Sequence, residues 1–214
     1  MKLLFIANGG LGQDLGDEFF NSFDLIVCVD GGLNELSDNY GHIRPTFIIG
    51  DLDSARSDLL EKYGPTATVV KKDNQDESDL VFSLRYFLEN RNVTIDEITI
   101  AGAVGRRIDH SLCNILTLRQ IPRGIQSRML TARGEELFLV REKLTLGGVE
   151  GKTLSLIPLT EVHGLSCSGT RWPLNDVNLP FGFVNGISNV ADRETVVIIL
   201  TEGELLVVLN QTIQ

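Results

Sequence analysis

The 214-residue sequence predicts an α/β domain, with a doubly wound and mostly parallel sheet covered by helices on both faces, followed by a smaller all-β sandwich. Two observations carry this. From Leu3 to Ala132, short β-rich apolar runs alternate with segments of helical character; after Gly134 only short strand-like runs remain, separated by turn signals. The first set of strands is L-L-F-I-A (3–7), D-L-I-V-C-V (24–29), T-F-I-I (46–49), A-T-V-V (67–70), E-I-T-I-A (97–101) and S-R-M-L-T-A (127–132). Their unbroken apolarity suits strands buried on both faces. Between them, S-D-L-V-F-S-L-R-Y-F-L (78–88) and H-S-L-C-N-I-L-T-L-R-Q-I (110–121) carry apolar side chains at helical spacing. The second set is L-F-L-V-R (137–141), K-L-T-L (143–146), T-L-S-L-I-P (153–158), T-V-V-I-I-L (195–200) and E-L-L-V-V-L (204–209), punctuated by G-G, E-G-K and T-E-G-E. Domains at residues 1–133 and 134–214 follow, with no repeat, low-complexity tract or long linker.

Composition narrows the function classes. At 43% hydrophobic the chain has the material for a sizeable core. With 29 acidic against 19 basic residues and a net charge of -10, its field repels polyanions, and no basic patch offsets this. Nucleic acid is therefore not an expected partner, whereas a single nucleotide held through a metal ion is compatible. Cys28, Cys113 and Cys167 are widely spaced and odd in number, without metal or redox spacing, which points to reduced, mostly buried thiols in a cytoplasmic protein. The opening M-K-L-L-F-I-A-N-G-G has too short an apolar run for a secretory signal and reads as a first buried strand. No apolar segment approaches the ~20 residues that span a bilayer, so a membrane association is not expected.

In an open α/β sheet, ligands bind beyond the carboxyl ends of the strands. Those positions here are acidic or glycine-rich: D-G-G (Asp30, Gly31, Gly32), G-D-L-D-S (50–54) and G-A-V-G-R-R-I-D-H (102–110), with Asp73, Asp76 and Asp79 before the next helical segment. Each aspartate alone reads as a helix cap. Carboxylates from four strand ends brought to one edge would instead repel and raise one another's pKa unless a hard cation lay between them, and magnesium is the simplest such ion. The glycines at 102 and 105 allow backbone N–H groups to approach phosphate, and Arg106 or Arg107 can fork onto its oxygens. No Walker A motif is present. G-G-L-G-Q-D-L-G (9–16) misses dinucleotide spacing by one residue and reads as a turn. His110 suits either a nucleotide contact or a structural hydrogen bond; His42 and His163 lack partner patterns.

Taken together, D-G-G, P-T-F-I-I-G-D-L-D-S (45–54), S-D-L (78–80), G-R-R-I-D-H (105–110), W-P-L (172–174) and G-I-S-N (186–189) fall in the order of the thiamine pyrophosphokinase family, which the chain resembles from Ala7 to Asn189. The resemblance implies transfer of a pyrophosphoryl group from ATP to the primary hydroxyl of thiamine, giving thiamine diphosphate and AMP, by a homodimer with active sites at the subunit interface. By position it implies magnesium at Asp51, Asp53, Asp79 and Asp109, ATP contacts from Asp30, Gly31, Gly32, Arg107 and His110, and thiamine contacts from Trp172, Ser188 and Asn189. Asp79 or Asp109 could take the hydroxyl proton, or serve only as metal ligands. An aromatic face such as Trp172 suits a thiazolium cation, the other reading being a tryptophan of the sandwich core. Three positions depart from the family pattern: Val81 and Val190, each where glutamate is common, and Arg106, where glycine is common. Pyrophosphoryl transfer to another heterocyclic alcohol, such as a pterin, and a non-catalytic thiamine or nucleotide sensor stand as alternatives.

Overall fold

The structure is a computed structural model that describes residues 1–12, 15–73, 75–90, 93–105, 107–183 and 185–210; Arg106, one of the two expected phosphate contacts, lies outside them. Met1–Arg133 and Gly134–Gln214 form two compact units.

Among the described residues the first unit contains six strands, β1 (Lys2–Ile6), β2 (Leu25–Val29), β3 (Phe47–Gly50), β4 (Thr68–Lys71), β5 (Glu97–Ala101) and β6 (Gln126–Leu130), and five α-helices, α1 (Asp17–Asn21), α2 (Gly32–Tyr40), α3 (Ser57–Tyr63), α4 (Asp79–Leu88) and α5 (Ile108–Thr117). All six strands pair in parallel in the order β6-β5-β1-β2-β3-β4. The period of two sends alternate side chains to opposite faces. Leu4, Ile6, Ile26, Cys28 and Ile48 cluster with Phe20, Leu33, Leu36, Tyr40, Leu59 and Tyr63 from α1, α2 and α3. On the other face Phe87 of α4 meets Phe5 and Phe47 edge-on, with ring centroids 5.7 and 5.1 Å away. Each such fully buried side chain contributes about 2 kcal/mol, so the hydrophobic term favours keeping both faces covered.

Two expectations need correction. A-T-V-V does form β4, but as the edge of the sheet, with Val69 44% exposed rather than covered on both sides. Helix α5 forms as its spacing predicts, yet its large apolar side chains Ile108, Leu112 and Leu116, four residues apart, face outward. Its buried residues are the small Ser111 and Thr117. Polar bonding explains the inversion: Ser111 Oγ accepts from Gly105 N at 3.1 Å, and Asn114 Nδ2 donates to Ala103 O at 2.8 Å. These bonds fasten α5 to the glycine-bearing turn after β5.

The second unit is a sandwich. One sheet has the order β12 (Asn189–Val190), β9 (Thr153–Pro158), β14 (Leu205–Asn210), β7 (Glu136–Val140); the other, β11 (Leu174–Leu179), β10 (Val162–Ser168), β13 (Thr195–Ile199), β8 (Lys143–Gly147). All described pairings within the sandwich are antiparallel. Alternation sets the core: Leu154 and Leu156 of β9, Val196 and Ile198 of β13, and Val207 and Leu209 of β14 meet Val162, Leu165 and Cys167 of β10. Strands β10 and β11 lack a strand signal because their apolar residues are diluted by Gly164, Ser166 and Asn178 and their mutual register shifts at bulges, and β12 is only two residues long. Cys28 and Cys167 are buried, and burial pushes both thiols up, away from the reactive thiolate; Cys113 is exposed.

Candidate active site

In the first unit the strand order changes direction between β1 and β5, the crevice where open parallel sheets bind ligands. A cavity of about 530 Å³ lies there, lined by Ala7, Asn8, Gly9 and Gly10 after β1, Glu35 of α2, Gly102, Ala103 and Gly105 after β5, and Arg107, His110 and Asn114 of or before α5. Its floor depends on a close backbone approach. Gly9 N donates to Gly102 O at 2.6 Å, and a β-carbon at Gly9 would stand 2.4 Å from that same oxygen. Gly9 and Gly10, which read as part of a turn in sequence, are therefore part of the cavity. The signal that could have found them is the rule applied to the other strand ends, since N-G-G follows β1 as D-G-G follows β2.

The acidic centre adjoins this cavity. Asn8, in the lining, packs against Gly31, next in sequence to Asp30. One carboxylate oxygen each from Asp30, Asp51 and Asp53 lies within 4.8 Å of the others. Two left-handed residues make this convergence, Asp30 at φ 45° and Leu52 at φ 66°. Such a conformation is costly for side chains other than glycine, and it is held here by surrounding bonds: Asp30 N donates to Ile49 O at 2.9 Å, and Asp30 Oδ1 accepts from Ser54 N at 3.1 Å. Gly31 and Gly32 are buried at the start of α2, and a β-carbon at Gly32 would strike Ile6 O at 1.9 Å, so packing requires the second glycine of D-G-G.

Mutual repulsion does not raise the Asp51 pKa. The Gln75 side-chain amide, at 3.1 Å from Oδ2, and the Asp53 backbone N–H, at 3.2 Å from Oδ1, hold it below the ordinary carboxylate value, with help from Lys72. Donors of the protein itself thus favour the ionised form of Asp51. Asp30, Asp51 and Asp53 offer only hard oxygen ligands in one small space, a donor set that fits magnesium.

The other expected metal residues sit differently. Asp79 opens α4; its Oδ1 accepts from Asp51 N at 3.2 Å and pairs with the buried ammonium of Lys72 at 3.0 Å. Asp109 is exposed and ion-paired with Arg107, whose guanidinium, helped by the His110 backbone N–H, holds its carboxyl down at about 2. Among the described residues the metal-sized group therefore comprises Asp30 with Asp51 and Asp53, and includes neither Asp79 nor Asp109. Asp73 and Asp76 are exposed. His110 lines the cavity, while His42 is exposed and pairs with Asp17 at 2.7 Å.

In the second unit Trp172, Ser188 and Asn189 gather by bonding. Asn189 is buried; its Oδ1 accepts from Trp172 N at 3.2 Å and Val190 N at 2.8 Å, and its Nδ2 donates to Trp172 O at 2.8 Å. The amide is thereby committed to holding the Trp172 backbone. Ser188 is left-handed at φ 60° and its N donates to Ser155 Oγ at 3.2 Å. Trp172 is 58% exposed and so is not a core residue, and the Arg171 guanidinium lies 5.7 Å from its ring centroid.

Known proteins match both units. The thiamin pyrophosphokinase catalytic domain model matches residues 17–129, and the thiamin pyrophosphokinase vitamin B1 binding domain model matches residues 139–206. Thiamine pyrophosphokinase of Bacillus subtilis (strain 168) is 29% identical over 197 residues, covering 88% of this chain and 89% of its own. Thiamine pyrophosphokinase 3 of Oryza sativa subsp. japonica is 27% identical over 206 residues, covering 85% and 76%. The crystal structure of the Bacillus subtilis protein superposes with a TM-score of 0.82 at 25% identity, covering 100% of both chains. The catalytic model alone takes in more than half of the residues, and the chain belongs to the thiamin pyrophosphokinase family.

Proposed function

We propose that this enzyme transfers the pyrophosphoryl group of ATP to the primary hydroxyl of thiamine, forming thiamine diphosphate and AMP with magnesium as its metal, and that it works as a homodimer. The observation that carries the reading is the union, at one end of one parallel sheet, of a switch-point cavity bearing Arg107 with the convergent oxygens of Asp30, Asp51 and Asp53. A triphosphate needs both. Backbone N–H groups of the turn 102–105 and the Arg107 guanidinium suit phosphate oxygens, and the carboxylates suit the cation that accompanies them. Magnesium, held by Asp30, Asp51 and Asp53 with Asp79 beside them, would neutralise charge on the transferred group.

The chain's own residues then have separable tasks. Arg107 orients the polyphosphate and is released from Asp109 to do so. Asp79, fixed through one oxygen, keeps the other for the cation or for the proton leaving the thiamine hydroxyl. Trp172 presents an exposed ring to the thiamine cation, and Asn189 sets the angle of that ring. Positioning and electrostatics supply most of the acceleration in such a transfer.

The test is nucleotide product analysis of purified protein with ATP, magnesium and a panel of alcohols that includes thiamine and a hydroxymethylpterin. AMP with thiamine diphosphate is expected. ADP would refute pyrophosphoryl transfer, AMP only with the pterin would move the substrate, and thiamine binding without turnover would make the protein a sensor. Sedimentation gives the oligomeric state, a dimer being expected.

A further inference from the structure

Lys72 is the only buried basic residue among the described residues, 3% exposed at the carboxyl end of β4. Nothing in the sequence singles it out, since a lysine ending an edge strand normally reads as a solvated guard against edge pairing. Withdrawing an ammonium from water is strongly unfavourable unless its donors are matched. Two of its three donors are: Nζ donates to Glu77 O at 2.7 Å and pairs with Asp79 Oδ1 at 3.0 Å, while the backbone Lys72 N separately donates to Gly50 O at 2.8 Å. The same Asp79 Oδ1 accepts from Asp51 N at 3.2 Å. Both donors thus converge on one oxygen, and among the described residues Asp79 Oδ2 accepts no hydrogen bond. One side chain thereby ties the ends of β3 and β4 to the start of α4, directly beside the Asp30, Asp51 and Asp53 group.

We propose that Lys72 is a positioning residue for the reaction: by locking Asp79 through Oδ1, and the Asp51 backbone with it, its ammonium fixes the carboxylates in the arrangement that receives the cation and leaves Asp79 Oδ2 available. The proposal rests on the magnesium-dependent reading above. It differs in sign from a charge effect. Deleting a positive charge beside carboxylates strengthens cation binding by Coulomb's law, whereas loosening the ligands weakens it. It also differs from a role in folding alone, which would move the unfolding midpoint and leave metal affinity of the folded protein unchanged.

The experiment measures Mn²⁺ affinity by the electron paramagnetic resonance of the free ion, with kcat, KM and thermal midpoint, for wild type, Lys72→Met, Lys72→Gln, Asp79→Ala and the double variant Lys72→Met/Asp79→Ala. Folded Lys72→Met is expected to bind Mn²⁺ about ten- to a hundredfold more weakly, the usual cost of losing a group that orients a metal ligand. Its kcat should fall more than its thiamine KM changes, and Lys72→Met should add no further loss once Asp79→Ala has removed the oxygen that Lys72 holds. Lys72→Gln, which can still donate to Glu77 O, serves if the methionine variant does not fold. Unchanged or tighter Mn²⁺ binding, independent losses in the double variant, or failure of every Lys72 variant to fold would overturn the proposal. Mn²⁺ binding by wild type without AMP formation would sink the reaction reading and leave the lock measurable; no Mn²⁺ binding by wild type would end both.

Discussion

At the scale of single residues, the acidic centre is defined by backbone as much as by charge. Asp51 and Asp53 flank a left-handed Leu52, and Asp30 is itself left-handed, so three carboxylates meet that extended chain would send apart. Asp51→Asn keeps the shape and an acceptor for Asp53 N but removes a charge from that group. Its turnover should fall on the order of a hundredfold, the scale of a lost charge-stabilising contact, with Mn²⁺ affinity falling in parallel and the circular dichroism unchanged. Full activity would remove the metal reading. The Arg107–Asp109 pair makes a different prediction. Because the folded pKa of Asp109 is lowered from 3.8 to about 2, the pair's contribution is present above the ordinary value and lost as pH falls through about 2. Both side chains are exposed, so the pair is screened and its signature is spectroscopic rather than energetic. In Arg107→Ala, carboxyl NMR should show Asp109 titrating closer to 3.8; an unmoved titration would mean that another group holds it. The aspartates were legible in sequence because they follow strands. Their partners were not: Gln75 bonds Asp51 from 24 residues away, and Lys72, at the end of an edge strand, is buried only by the fold, neither of which local spacing encodes.

At the scale of elements, the strands of the parallel sheet were readable because burial on both faces leaves unbroken apolar runs, as in L-I-V-C-V of β2. The outward stripe of α5 was not, since periodicity gives a helix and its apolar face without saying which way that face points. Helix α4 shows how a local signal and the site coincide. Ser78 is its N-cap, with Oγ accepting from Val81 N at 3.3 Å, so the S-D-L that marks the family also starts the helix that presents Asp79. Glutamate at position 81 would return a bond to the cap and complete a capping box; Val81 leaves that half unmade. Ser78→Ala should therefore cost about 1 kcal/mol in urea unfolding, with Ser78→Asp recovering most of it. No shift in the urea midpoint would mean that tertiary packing of Leu80, Leu84 and Phe87 holds the first turn without the cap.

At the scale of the whole molecule, each unit has a chemistry the other lacks. Met1–Arg133 contains the carboxylates and the nucleotide-sized cavity, and Gly134–Gln214 contains the exposed tryptophan. The family match divides likewise into a catalytic and a vitamin B1 binding model. No helix among the described residues is long and apolar enough to cross a membrane. This division predicts that damage in one unit is read out selectively. Trp172 is the sharpest case because the residue is 58% exposed while its backbone is clasped by Asn189, so the ring can be removed without opening the sandwich core. Trp172→Ala should weaken thiamine binding by about 1–2 kcal/mol, roughly tenfold, from the lost stacking and cation–π attraction. The thermal midpoint and Mn²⁺ affinity should stay at wild-type values. Asn189→Ala should produce the same thiamine defect indirectly and add a loss of stability, because it removes the acceptor of Trp172 N and leaves Trp172 O with Thr170 Oγ1 as its donor. Calorimetric titration of thiamine into both variants, beside their melting curves, separates the two roles. Unaltered thiamine affinity in Trp172→Ala would move the binding surface elsewhere, and a collapsed melting curve would return the residue to structural duty.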